Sequence, residues 1–333
     1  MQAKWKWTAG FAALALTACN GAPAPDPELT EDETAMADPA MPETTDDAAA
    51  AATEDEEPAG LPQTDISLST LVWNNGLPQI ADRVIPTSQG SYDNQPAFDD
   101  GGFYFASETP GLQTDIFYYS LDSGAISRIT DTPDESEYSP RPSPDGQSVT
   151  YIHQAPGGYG GQVYRHQLDG SATGPVHEYG PAGYYALAGD QSEMLLFALT
   201  DPFSLLWTDL ELGIEEEITT GLGRALYTAP DGQSAFFTLE HPEGGFTVNR
   251  FSFTDASITP VFRLPGESED YAVFTKPDGG LGWLSATSDT LFYRDDNVSS
   301  WQPIADLDAM GLSGVTRLAV SPSADRLAIV SNE

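Results

Sequence analysis

The chain has 333 residues, 51 of them acidic and 13 basic, for a net charge of −38. A balance this one-sided argues against nucleic acids and other polyanions as partners, while an apolar share of 40% is enough for a sizeable core and excludes wholesale disorder. With Cys19 as the single cysteine, neither an intrachain disulfide nor a cysteine zinc cluster can form.

The first nineteen residues read as a processing signal. Lys4 and Lys6 precede an apolar run from Phe11 to Leu16, followed by Leu16-Thr17-Ala18-Cys19. The uncharged stretch between Lys6 and Cys19 is 12 residues, short of the ~20 a membrane-spanning helix needs, so the pattern is that of a cleaved signal. The block ending at Cys19 resembles a bacterial lipobox. That likeness implies acylation of the cysteine and anchoring through more than one acyl chain, which holds a protein on a membrane where one chain is marginal. With Asn20 as the next residue, the same likeness implies an outer-membrane lipoprotein of the cell envelope, facing the periplasm or the surface.

Residues 20–60 hold thirteen acidic residues, no Lys or Arg and no aromatic residue. Such a segment cannot bury enough apolar area to offset its chain entropy and is expected to be a disordered, extended tether. A cation-collecting or protein-binding tail is the alternative. Beyond it, residues 61–333 keep 38 acidic and 11 basic residues, a net of −27.

Within 61–333 a turn motif recurs: Phe98-Asp99-Asp100-Gly101, Ser143-Pro144-Asp145-Gly146, Ala188-Gly189-Asp190, Ala229-Pro230-Asp231-Gly232, Lys276-Pro277-Asp278-Gly279 and Ser321-Pro322-Ser323-Ala324. Equivalent positions 100, 145, 189, 231, 278 and 323 are separated by 45, 44, 42, 47 and 45 residues. Each turn joins two apolar β-rich runs, a hairpin signal, and a second hairpin follows, as in Asp115 to Leu121, Asp122-Ser123-Gly124 and Ala125 to Ile129. Four strands per repeat of ~40–50 residues is a propeller blade. The spacing predicts complete blades beginning at 95, 138, 183, 224 and 271. A sixth blade keeps only its two inner strands near the C-terminus. Thr64-Asp65-Ile66 to Val72, a turn at Asn74-Asn75-Gly76 and Leu77 to Ile80 parallel the second hairpin and should complete that blade, leaving no open sheet edge. The fold class is therefore all-β, a six-bladed propeller closed by the N-terminal hairpin and expected to be monomeric.

The unit Tyr138-Ser139-Pro140-Arg141-Pro142-Ser143-Pro144-Asp145-Gly146, with the hairpin from Thr114-Asp115-Ile116 through Asp122-Ser123-Gly124 to Arg128-Ile129-Thr130, resembles the TolB-like propeller repeats of bacteria. The resemblance covers nearly all of 61–333. It implies a six-bladed propeller in the cell envelope that works with an envelope protein. Similar repeats form the propellers of prolyl-oligopeptidase-type enzymes, in which a separate α/β unit carries the hydrolase; no residues remain here to build one.

Catalytic patterns are sparse. There is no Gly-x-Ser-x-Gly and no His-Glu-x-x-His, and His153, His166, His177 and His241 form no pair at metal-ligand spacing. Acidic loops at Asp131, Asp134, Glu135 and Glu137 and at Glu267, Glu269 and Asp270 offer oxygen ligands of the kind Ca²⁺ takes, but neither has EF-hand spacing. No cofactor is required by the sequence. The blade-to-blade segments gather aromatics and scarce arginines, namely Tyr92, Asp93, Asn94, Tyr138, Arg141, Tyr184, Tyr185, Arg224, Tyr227, Tyr271 and Arg317. Tyr and Arg are enriched at binding hot spots. This rim is the candidate surface for a peptide or protein partner, and the expected function is a non-catalytic binding scaffold. The rival is a glycan- or peptide-processing enzyme with a metal or carboxylate site in the channel.

Overall fold

The apolar runs form strands, and the turns between them set the blades. In the computed structural model, residues 61–87, 91–110, 113–178, 180–297 and 300–332 are described. The readings for the signal, Cys19 and the tether fall on residues 1–60, outside the described residues. Strands β1 (Thr64–Asn74) and β2 (Leu77–Val84) form the N-terminal hairpin. The first blade is β3 (Asp93–Phe98), β4 (Gly102–Thr109), β5 (Gln113–Ser120) and β6 (Ile126–Arg128). The second is β7 (Ser136–Pro142), β8 (Ser148–Gln154), β9 (Gln162–Gln167) and β10 (Thr173–Pro175). Then come β11 (Ala182–Leu187), β12 (Glu193–Ala198), β13 (Ser204–Asp209) and β14 (Ile214–Thr220), followed by β15 (Leu222–Thr228), β16 (Ser234–Glu240), β17 (Phe246–Ser252) and β18 (Ile258–Arg263). The fifth blade holds β19 (Tyr271–Thr275), β20 (Leu281–Ala286), β21 (Thr290–Asp295) and β22 (Gln302–Asp306); β23 (Ser313–Val320) and β24 (Arg326–Asn332) end the chain. Among the described residues there is no helix.

These strands make six four-stranded antiparallel sheets, a six-bladed β-propeller. The last sheet has the order β2-β1-β24-β23. Thr64 to Thr70 pair in unbroken register with Asn332 to Arg326, so the N-terminal hairpin completes the sixth blade as its repeat pattern predicts. Asn75 and Gly76 both have positive φ, 51° and 80°, the two-residue hairpin geometry that Asn-Gly favours.

The second strand of each blade reads as a nearly continuous apolar run because both of its faces are buried. Successive side chains point to opposite faces: in β4, Phe103 and Phe105 pack against the sixth blade, while Tyr104 and Ala106 pack against the second. In β12, Met194 and Leu196 face the second blade, and Leu195 and Phe197 face the fourth. In β24, Ala328 and Val330 face the first blade, and Leu327 and Ile329 face the fifth. The core is thus divided into clusters between blades, each built from residues of two neighbouring repeats. Between the fourth and fifth blades Trp283 is the central plug, 4.6 Å from the Phe236 ring and 4.8 Å from that of Phe262.

Candidate functional site

Five of the six inner strands carry a register irregularity near their start: between Asn94 and Ala97, Tyr138 and Arg141, Ala182 and Tyr184, Leu222 and Leu226, and Ser313 and Arg317. In β3 and β7 the extra residues include Gln95 and Ser139, both at positive φ (59° and 54°) and both followed by proline. Such bulges bend a strand and re-aim its side chains. The Gln95 side chain accepts a 2.7 Å hydrogen bond from the Ser139 N–H, joining two bulges across a blade boundary.

The bulges put large side chains across one end of the central channel. Arg317 donates to the Tyr184 hydroxyl at 3.0 Å and lies 5.5 Å above that ring. Tyr227 donates to the Asp270 carboxylate at 2.5 Å, and the Leu318 N–H donates to its other oxygen at 2.9 Å. Arg141 stands 5.1 Å over the Tyr227 ring. Burial pushes the Asp270 carboxyl above its usual range, against the pull of Arg317. Burial alone would lower the Arg317 guanidinium, but Asp270 and the surrounding tyrosines hold it above its ordinary value. Burial, with Asp270 beside it, raises the Tyr227 hydroxyl. The space left in this neck is ≈ 10 Å³.

Below the neck the channel widens to ≈ 500 Å³, walled by residues of all six inner strands and by turn residues of the second, third and fourth blades, Ser143-Pro144, Ala188-Gly189 and Ala229 to Gly232. The physical reason is side-chain size. Ala97, Ala188, Gly189, Ala229, Gly232, Ala272 and Ala319 line this half, where the neck has Arg and Tyr. The cavity therefore opens on the face of the Asp-Gly turns, opposite the blade-to-blade segments that gather the aromatics. At its edge two turns abut so closely that the Gly189 N–H donates to the Gly232 carbonyl at 2.9 Å. A Cβ on Gly232 would stand 2.7 Å from Gly189 Cα, at a φ of +68°. Gly232→Ala should therefore lower stability by about 2 kcal/mol, combining the left-handed backbone cost with the clash, measurable by urea denaturation.

The rim residues divide. Tyr184, Arg141, Tyr227 and Arg317 converge in the neck, whose lining Arg224 also reaches. Tyr92, Asp93, Asn94, Tyr185 and Tyr271 are buried in the walls between blades, and half-buried Tyr138 packs edge-on to Tyr92 at 6.4 Å. Arg224 is exposed and paired with Glu269 at 3.1 Å, beside a second hollow of ≈ 500 Å³ on the blade-to-blade face that Glu267, Asp270 and Arg317 also line.

The acidic loop before β7 has a more specific geometry. Glu137 is fully buried, accepts hydrogen bonds from the Thr130 and Thr132 hydroxyls, and lies 3.5 Å from His153 Nδ1. The other ring nitrogen lies 3.7 Å from Glu135. One ligand atom from each of Glu135, Glu137 and His153 falls within 4.8 Å of the others, a mixed O/N set that suits a transition ion better than Ca²⁺. Burial pushes the Glu137 carboxyl up to about 7, with Asp115 adding to the effect. Asp115 is itself buried and paired with Arg128 at 2.6 Å.

The same device recurs one blade earlier. Thr64 donates to the Asp93 carbonyl at 3.0 Å as Thr114 does to that of Glu137 at 2.9 Å. Thr87 bonds Asp65 as Thr130 bonds Asp115. Burial raises Asp93 to about 6. The parallel Thr-Asp-Ile segments at 64–66 and 114–116 were the sequence signal for these junctions, although nothing local showed that the next blade would bring a second carboxylate.

No family model matches the sequence, and no curated protein does. Solved structures do match in fold. A TolB-type protein from Agrobacterium tumefaciens aligns with a TM-score of 0.60 at 14% identity, over 82% of this chain and 99% of that one. The chain has a TolB-like propeller fold. TolB from Acinetobacter baumannii aligns with a TM-score of 0.52 at 13% identity, over 80% of this chain and 64% of that one. A chain of a nidogen/laminin complex reaches 0.53 at 10% identity, over 80% and 98%. At these identities the likeness concerns the TolB-like architecture alone.

Proposed function

We propose that this protein is a lipid-anchored cell-envelope propeller that acts as a non-catalytic scaffold, holding a peptide or protein segment in its central channel. The observation that carries the reading is the ≈ 500 Å³ channel cavity open on the turn face, of a size and apolar character that suits ligand binding. The neck groups above it are engaged with one another, Tyr227 with Asp270 and Arg317 with Tyr184, an arrangement that stiffens a wall. The anchoring part of the reading rests on the lipobox-like Leu16 to Cys19 and on the acidic segment after it. A soluble library of random decapeptides, read by mass spectrometry of what the full-length chain retains, should yield apolar sequences. Val273→Trp, which fills the cavity from its wall, should cut their retention at least about tenfold, or about 1.4 kcal/mol. Undiminished retention would move the site off the channel.

One observation favours a second reading, a metal-dependent processing enzyme: Glu135, Glu137 and His153 could share a cation. They stand at the junction of the first two blades and are not among the residues lining the channel cavity. Stoichiometric retention of Mn²⁺ or Zn²⁺ by the purified protein, lost in His153→Ala, would favour that reading.

A further inference from the structure

Among the described residues, one arginine of the channel has no carboxylate partner. Arg317 has Asp270, Arg224 has Glu269 and Arg128 has Asp115 and Asp131. Arg141 lines both the neck and the cavity. Its guanidinium lies over the Tyr227 ring, and among the described residues it has no carboxylate within 4.0 Å, the limit that defines the other pairs. In a folded part of net charge −27, a half-buried guanidinium facing a cavity of mixed polar and apolar lining is a site for an anion. Its planar fork matches a carboxylate bidentately.

The shape of the channel narrows the choice. The space among the neck residues is only ≈ 10 Å³, so a polypeptide does not thread through from the cavity beneath, and a chain end that enters it brings its terminus to Arg141. An N-terminus would bring an ammonium group to Arg141, whereas a C-terminus brings a carboxylate. The walls beneath Arg141 include Phe98, Leu187, Ala229, Val273 and Val320, which suit apolar side chains. Asp231 at the mouth turns one oxygen back to the Gln233 N–H at 2.9 Å and, with the acidic surface, disfavours a ligand carrying further negative charge. We infer that the channel binds the C-terminal end of a polypeptide, its terminal carboxylate on Arg141 and its last apolar residues in the cavity. This inference rests on the scaffold reading above and specifies its ligand.

The test uses the full-length chain and a pool of N-terminally fluorescein-labelled apolar hexapeptides, synthesised both as free acids and as C-terminal amides. Fluorescence anisotropy should show the acids binding at least tenfold more tightly than the amides. Arg141→Gln should abolish that difference, Arg141→Lys should restore part of it, and Arg263→Gln, on the outer strand β18 and paired there with Glu243, should leave it intact. If Arg141→Gln does not fold, the acid-to-amide ratio on the unsubstituted chain decides alone. Equal binding of acids and amides would overturn the inference while leaving the scaffold reading standing; no binding by any peptide would remove both. Phenylacetate that binds by calorimetry, and no longer does so in Arg141→Gln, in a chain that ignores every hexapeptide acid would overturn the peptide and indicate a small organic acid.

Discussion

Replacing Ser67 by proline should open the propeller ring. Ser67 is buried near the middle of β1 and pairs with Ile329 of β24. Because β1 is flanked by β24 on one side and β2 on the other, a proline there sits in an interior strand, where its missing N–H and its ring disrupt the ladder. A buried carbonyl left without its donor costs about 1–3 kcal/mol, and the damage spreads beyond the substituted residue. The N-terminal hairpin contributes Ile66 and Leu68 to the cluster that covers Phe103 and Phe105 of the first blade, and Leu71 to the cluster against the fifth. Losing the clasp therefore unseats two of the interfaces that close the circle. We expect a loss of about 3 kcal/mol or more in urea denaturation, with new cleavage sites in β1, β2 and β24 under limited proteolysis. Ser67→Ala removes only the 3.3 Å hydrogen bond from Arg83 and should cost less than about 1 kcal/mol. A proline variant as stable as the parent would mean that the ring does not depend on β1.

The second large effect is a pH dependence carried by Glu137. Burial raises its folded pKa from 4.5 to about 7, so the folded state binds a proton more tightly than the unfolded state does. Stability from this group is then fully present below about pH 4.5 and falls as pH rises toward 7. The difference of about 2.5 units corresponds to about 3 kcal/mol lost across that window. Glu137→Gln keeps an acceptor for Thr130 or Thr132 but cannot ionise. Comparing unfolding free energies of the two proteins at pH 5 and pH 7.5 should show the parent losing stability relative to the variant by up to about 3 kcal/mol. An unchanged difference across pH would show that Glu137 is already ionised in the fold. Asp93, raised by burial to about 6, acts in the same direction at the preceding junction, with its window between about pH 4 and 6.

How much of this was legible in the sequence depends on how far apart the interacting residues lie. Strands, hairpins and blade count were written locally. Asp-Gly and Asn-Gly turns with positive φ at Gly146, Gly232, Gly279 and Gly76 separate runs whose apolar periodicity already says which faces are covered. The blades begin within a few residues of the positions that the repeat predicts, at Asp93, Ser136, Ala182, Leu222 and Tyr271. Even the closing hairpin was readable, because the Thr-Asp-Ile of its first strand repeats that of the first blade.

The site was not readable in the same way. Aromatic and arginine residues at the blade starts identify a surface by composition, yet Tyr185 and Tyr271 are buried wall residues and Arg141 faces the channel. That distinction is made by the bulges at Gln95 and Ser139 and by contacts across the ring, such as Arg317 to Tyr184, 133 residues apart. The pairing of Glu137 with His153 and with the Asp115 neighbourhood also joins different strands and different blades. The all-β architecture, the number of blades and the manner of closure follow from local sequence, because strand period and turn conformation are properties of a few consecutive residues. Which end of the channel is narrowed, which carboxylates are forced together and which channel arginine lacks a carboxylate among the described residues emerge from the packed fold, because those depend on how six inclined sheets meet around one axis.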